Sequence, residues 1–275
     1  MTDRRILPAN GRVAHVSLRG QVEAATFVEG EWARVMAPVA DLLARPGGPR
    51  DRQVLRGDRL MVLERTEGHA FVQAARDGYC GYVAETALGP DHAVTHWVSA
   101  PATHLYPAAD IKRPEIASLS FGARLDIAGE EGRFARTADG HHVPRVHLRE
   151  IGAPLDDPAA VALLFLGTPY LWGGNSRGGI DCSGLVQAAL LACGHDCPGD
   201  SDLQWQSVGR PLGEGTPLRR GDLLFWRGHV AMAIDGETMI HANAHAMAVT
   251  LEPIGAARER IRVAEGDSWL GVRRL

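Results

Sequence analysis

The sequence predicts an α+β chain in which two small β-barrels precede a domain of helices packed on an antiparallel sheet. Three observations carry this. Short apolar runs about ten residues apart, separated by Gly, Pro and Asp, fill residues 33–151. Their layout occurs twice within that span. Beyond it, two helix-like segments are followed by four strand-like ones.

Residues 1–32 show neither period for long and read as an N-terminal arm that packs on something else. From 33 to 90 the runs ARVMAPVADLLARPG, RLMVLER and AFVQAARDGYCGYVA describe the first barrel. From 91 to 151 the layout returns: ADLLARPGGP resembles ATHLYPAADI, and RLMVLERTEGHAFVQAARDGYCGYV resembles RLDIAGEEGRFARTADGHHVP. Each copy has a strand, an acidic-Gly turn, a second strand and a D-G turn, so two copies of a barrel of about 60 residues are expected. One larger β-domain with coincidental spacing is the alternative. The second copy has no tyrosine in DGHHVP, and its His141 and His142 are expected to be solvated.

The last domain spans 152–275. IGAPLDDP is a plausible linker, and PAAVALLFLG reads as a helix capped by Asp157 with Pro158 at its first position. CSGLVQAALLAC is a second helix, ending at Gly194. DLLFW, HVAMAID, TMIHAN and MAVTLEP follow as strands.

Composition limits the function. The 275 residues have room for two or three domains, and 45% hydrophobic against 23% charged places the chain in the soluble globular class. With 33 acidic and 29 basic residues the net charge is -4 and no long run of either sign occurs, which argues against nucleic acid or membrane as partner. MTDRRILPANGR has no apolar stretch behind its arginines, unlike a secretory signal, and AAVALLFLG is too short to span a bilayer. The expected location is cytoplasmic. Four cysteines (80, 182, 193 and 197) fit a reducing compartment better than a disulfide framework. Cys193, His195 and Cys197 form a C-x-H-x-C without the second ligand pair that structural zinc needs, so no metal or other cofactor is expected. The oligomeric state is not legible.

Cys182 opens the second helix directly after WGGNSRGG and Ile-Asp. Attack on a carbonyl needs the thiolate, which helix N-terminal charge and a nearby imidazole favour. His229, at the head of HVAMAID, and His241, at the end of the following strand, lie within six residues of the turn at 235–236. An antiparallel pair would set them side by side, as a base and the group that orients it. Taken singly, Cys182 reads more readily as a packing residue, and each histidine as a satisfied core or surface residue.

Together, PYLWGGNSRGGIDCSGLVQ and the later RRGDLLFW, GHVAM and IHA blocks resemble the NlpC-type cell-wall cysteine peptidases, distant relatives of papain. The resemblance covers about residues 157–252. It implies Cys182 as nucleophile, His229 as general base, His241 as its orienting partner, and the Tyr170 hydroxyl with the Cys182 N–H as oxyanion donors. The segment PGDSDLQ resembles one that lines the substrate channel, which implies Asp200 and Ser201, along with Asp181, Ser183 and Trp172, as substrate contacts. The family's arginine in that stretch is Gly199 here, so that contact is not carried over. In members that act on short free peptides, SH3-like barrels precede the peptidase domain, and the first supplies a tyrosine and an acidic group for the substrate's free amine. RDGYCGYV points to Tyr79, with Tyr82 as fallback, and QVLRGDRL to Asp58.

The resemblance therefore implies hydrolysis of the γ-D-glutamyl-diamino acid bond in short murein peptides with a free N-terminal L-Ala, releasing L-Ala-γ-D-Glu during recycling. The alternatives are an exported hydrolase of intact wall stem peptides and a non-catalytic wall or peptide binder.

Overall fold

The computed structural model describes residues 3–275, which divide into two units, one ending at Ala153 and the other running from Pro154 to Leu275. In the first unit the arm contributes two parallel strands, Val13–His15 and Thr26–Val28. Val13 packs with Met61, Leu63, Phe71, Cys80 and Tyr82, while Arg4 forks onto Asp51 at 2.7 and 3.0 Å. Asn10 donates to both Glu64 and the Tyr82 hydroxyl, at 2.8 and 2.9 Å. The "something else" that the arm packs on is thus the outside of the first barrel, and the Tyr82 hydroxyl is used in that contact.

The first barrel is a seven-stranded sheet from Glu31–Val35 to Leu88–Pro90, with Val35, Leu42, Leu60, Val72 and Val83 filling its core. Its hairpin Arg59–Thr66 to His69–Ala74 turns on Glu67 and Gly68, whose φ values of 52° and 70° suit a two-residue turn matched to strand twist. The second barrel repeats the order over His96–Val98 to Leu148–Glu150, with the counterpart of Arg59–Thr66 split into Arg124–Leu125 and Ile127–Glu131. Each copy inserts a short 3-10 turn before its final strand, Glu85–Ala87 in one and Arg145–His147 in the other. Val98, Leu105, Leu119, Leu125 and Val143 fill the second core.

Tyr79 and Asp58 lie inside the first barrel rather than on its surface, at 3% and 4% exposure. Tyr79 belongs to the core cluster, and Asp58 Oδ2 accepts from Leu55 N and from Arg76 Nη1, both at 2.9 Å. A carboxylate buried this deeply needs such partners. His142 departs from the expectation of solvation: it is buried, packs edge-on against Phe134 and meets Glu131 at 3.1 Å through Nε2. Its neighbour Val143 takes the core-facing side of the strand, so His142 lies on the opposite face, where Phe134 and the backbone of Tyr106 cover it.

The second unit opens on Asp157, whose Oδ1 accepts from Ala159 N and Ala160 N at 3.0 and 3.2 Å, capping the helix Pro158–Leu163. The helix is shorter than the apolar run suggests, because the chain tightens into i→i+3 turns through Leu166. Helix Cys182–Ala192 is central, with Leu185, Val186, Ala189 and Leu190 all buried. It packs on the strands His229–Ala233 and Thr238–Asn243. The antiparallel sheet has six strands, adding Leu223–Trp226, Ala248–Pro253, Trp269–Arg274 and Arg210–Pro211. Helix Ile254–Glu265 covers a face of it with Ile254, Ala257 and Ile261 against Leu224, Trp226, Ala231 and Met239.

Gly57 sits where the two barrels meet: its φ is 81°, and a Cβ there would lie 2.3 Å from Arg124 O. Gly57→Ala should destabilise the first unit by about 2 kcal/mol or more, since the left-handed backbone alone costs an alanine about 1–2 kcal/mol. Gly47→Ala, at φ 60° with open space around it, should show only that backbone cost. Urea unfolding followed by tryptophan fluorescence compares the two, and equal losses would remove the steric contribution.

Candidate active site

Helix Cys182–Ala192 begins where it does because Asp181 holds its open end. Asp181 Oδ1 accepts from Gly184 N at 2.6 Å and from Ser183 Oγ at 3.1 Å, while Oδ2 accepts from Gly173 N at 2.9 Å. One carboxylate thus caps the helix and pins the glycine loop. That loop returns through the short hairpin Asn175–Ser176 to Gly179–Ile180. Cys182 is the first helical residue and only 7% exposed, placed at the positive end of the helix.

Tyr170 reaches the same place from the other side of the loop. Its N–H donates to Met247 O at 2.9 Å, and the next residue, Leu171, donates to Ile180 O at 3.1 Å. Burial pushes its phenol well above the ordinary value, helped by the nearness of Cys182 and Asp181. Tyr170 therefore stays an O–H donor beside Cys182 throughout the working pH range.

The two histidines are brought together by the hairpin expected from the D-G turn. Asp235 Oδ1 accepts from Glu237 N at 2.9 Å and Thr238 N at 2.8 Å, a local turn that reverses the chain. His229 Nε2 then meets His241 Nδ1 at 2.9 Å. His241 is fully buried, whereas His229 is half-buried at its strand's start with Trp226 beside its ring at 5.6 Å. Burial, the chief cause in both, lowers His229 to about 3 and His241 to about 4. Both imidazoles are consequently neutral at neutral pH.

Asp200 stands at the N-cap position of helix Ser201–Ser207, without a capping bond from its side chain. Gln204 of that helix donates from Nε2 to Ser183 O and to Pro198 O, each at 3.0 Å, which ties the Asp200–Ser201 segment to the first turn of the Cys182 helix. Asp181, Ser183, Asp200 and Ser201 are thereby gathered around one helix end. Trp172 is 69% exposed on the loop. Cys193 caps the helix C-terminus, and the buried Cys197 donates its thiol to Pro198 O.

Comparisons with known proteins agree with this layout. Residues 167–261 match the NlpC/P60 family, and residues 42–88 match the bacterial dipeptidyl-peptidase Sh3 domain. A γ-D-glutamyl-L-lysine dipeptidyl-peptidase of Bacillus subtilis (strain 168) is 33% identical over 223 residues, covering 69% of this chain and 71% of that one. The chain belongs to the NlpC/P60 family. As an NlpC/P60 cysteine peptidase it is also similar to dipeptidyl-peptidase 6 of Lysinibacillus sphaericus, at 28% identity over 77% of this chain and 87% of that one. The fold matches a crystal structure of an NlpC/P60 family protein from Bacillus cereus with a TM-score of 0.74, at 22% identity over 89% of this chain and 99% of that one.

Sequence reasoning missed three residues that shape the site. Gln204 was read only as the end of PGDSDLQ. Glu252 Oε2 meets His241 Nε2 at 3.1 Å, and Arg260 Nη2 meets the same oxygen at 2.7 Å. The signal for Glu252 was present in MAVTLEP: in a hairpin that pairs His241 with Thr250, Glu252 falls diagonally on the same face.

Folded-state pKa values below the unfolded value of about 6.5 set the sign of a pH effect. As pH falls below about 6.5 the unfolded chain binds protons that folded His229 and His241 refuse, so stability drops progressively until His241 titrates near 4 and His229 near 3. Thermal unfolding of the second unit's signal should therefore shift down between pH 7.5 and 5.0. His241→Gln should flatten that slope, and a midpoint unchanged between the two pH values would contradict the neutral pair.

Proposed function

We propose that the protein hydrolyses the γ-D-glutamyl-diamino acid bond of short murein peptides with a free N-terminal L-Ala, releasing L-Ala-γ-D-Glu in the cytoplasm during peptidoglycan recycling. The observation that carries the reading is the His229–His241 pair beside the helix that starts at Cys182, in a chain whose barrels and peptidase domain together resemble relatives named as dipeptidyl-peptidases.

In this reading the Cys182 thiol gives its proton to His229, and the sulfur attacks the γ-carbonyl carbon. The developing oxyanion accepts from Cys182 N–H and the Tyr170 hydroxyl, which burial keeps protonated. As the C–N bond breaks, His229 returns the proton to the leaving amine of the diamino acid. Water, activated by the same imidazole, then cleaves the thioester to the free γ-carboxylate.

Recognition of the free amine falls to the acidic and hydroxyl groups at the two linked helix starts. Asp181 already accepts three hydrogen bonds, so its main work is to hold Cys182 in place. Asp200 and Ser201, half-buried at the neighbouring helix start, are the better placed to meet an ammonium group. Tyr79 and Asp58, being buried in the barrel, take no part in this reading.

Purified protein given L-Ala-γ-D-Glu-diaminopimelate should release the dipeptide, detectable by mass spectrometry, and Cys182→Ala should release none. Tyr170→Phe should lower kcat by about 10²-fold, the usual worth of one oxyanion donor. N-acetylating the alanine should abolish most turnover. Equal rates on free and acetylated peptides would favour an exported hydrolase of intact wall instead, and activity in Cys182→Ala would overturn the nucleophile.

A further inference from the structure

The hydrogen-bond chain does not stop at the two histidines. Glu252 lies diagonally across from His241 on the adjacent strand, and helix Ile254–Glu265 brings Arg260 onto its far side, with Nε to Oε1 at 2.9 Å and Nη2 to Oε2 at 2.7 Å. Such a fork is the strongest arrangement available to a guanidinium and a carboxylate. It holds the Glu252 carboxyl well below the usual carboxylate range, Arg260 being the chief cause.

An ionised carboxylate can only accept, so His241 Nε2 must carry a hydrogen. A neutral His241 then offers Nδ1 as an acceptor, and His229 Nε2 must be the donor across their 2.9 Å contact. The lone pair of His229 is thereby left on Nδ1. His241 is fully buried, so no water can supply a different pattern.

We propose that Glu252, forked by Arg260, is a positioning residue that fixes the tautomers of His241 and His229 and steadies the positive charge His229 gains on taking a proton. This rests on the reading of Cys182 as nucleophile and His229 as base. The charged and titratable groups around this row are His229, His241 and Glu252 on the strands, Arg260 and Glu265 on the helix, and His245 in the loop between strands Thr238–Asn243 and Ala248–Pro253. Glu252 is the sole carboxylate among these that touches an imidazole. The role is parallel to that of the carboxylate in a serine peptidase triad, displaced by one further ring.

The test uses the full chain and two variants, Glu252→Gln and Arg260→Gln, with Glu252→Asp as the conservative rescue. The underlying reading is settled first on the native protein, by comparing iodoacetamide labelling with that of Cys182→Ala. Glu252→Gln should lower kcat about 10- to 100-fold, as removal of a supporting hydrogen-bond partner commonly does, with KM nearly unchanged. The basic limb of its kcat profile should move down by about one pH unit, because the imidazolium loses a nearby negative charge. Labelling of Cys182 at pH 6, which needs no substrate, should slow by up to about tenfold. Arg260→Gln should lower kcat less than Glu252→Gln does and raise the acid limb toward the usual carboxylate range, a pattern that loss of folding would not produce. Glu252→Asp should recover part of kcat. A native basic limb and native labelling rate in folded Glu252→Gln would overturn the proposal.

Discussion

The carboxylate of Asp181 is the constraint on which the candidate site depends. Its two oxygens accept from Gly184 N, Ser183 Oγ and Gly173 N, so the start of the central helix and the glycine loop share one anchor. The close approach this demands leaves no room for side chains: a Cβ on Gly184 would lie 2.5 Å from Gly174 O. Leu171 then bonds to Ile180, which sets Tyr170 beside Cys182. Nucleophile and oxyanion donor are therefore placed by one capped helix end, with the apolar residues Leu185, Val186, Ala189 and Leu190 holding the helix in the core.

The opposing half of the site comes from a sheet rather than a helix. Strand pairing sets His229, His241 and Glu252 in a row, and burial keeps both rings neutral, so the pattern of donors and acceptors is decided by the single ionised member of the row. Arg260 fixes that member's charge from a fourth element. A neutral imidazole is a usable base for a thiol only if its free lone pair is on the correct nitrogen, and the polarity of the row supplies that condition.

The two barrels follow a different logic. Their repeated strand order, ending each time in a 3-10 turn and a short strand, was readable because barrel strands advertise themselves by alternation and turn residues. The burial of Tyr79, Asp58 and His142 was not readable from the same stretches. A turn motif tells where the chain reverses but not which way each side chain of the turn faces, and all three prove to be buried with partners of their own. The arm was equally illegible, since its fixing contacts, Arg4 to Asp51 and Asn10 to Glu64 and Tyr82, join residues far apart in the chain.

The sequence by itself determined the helix that begins at Cys182, the cap at Asp157, the hairpin that joins His229 to His241, and the family to which these belong, because each depends on spacing within a short segment. It also carried, unread, the amphipathic stripe Ile254, Ala257 and Ile261 of the helix that presents Arg260. Only the tertiary structure decided that Glu252 meets His241, that Gln204 ties Ser183 to the Asp200 segment, and that Asp181 is an anchor before it is a contact. Hydrogen bonds between elements distant in sequence leave no periodic trace along the chain. They are fixed by packing, which brings those polar groups out of water and makes each one find a partner.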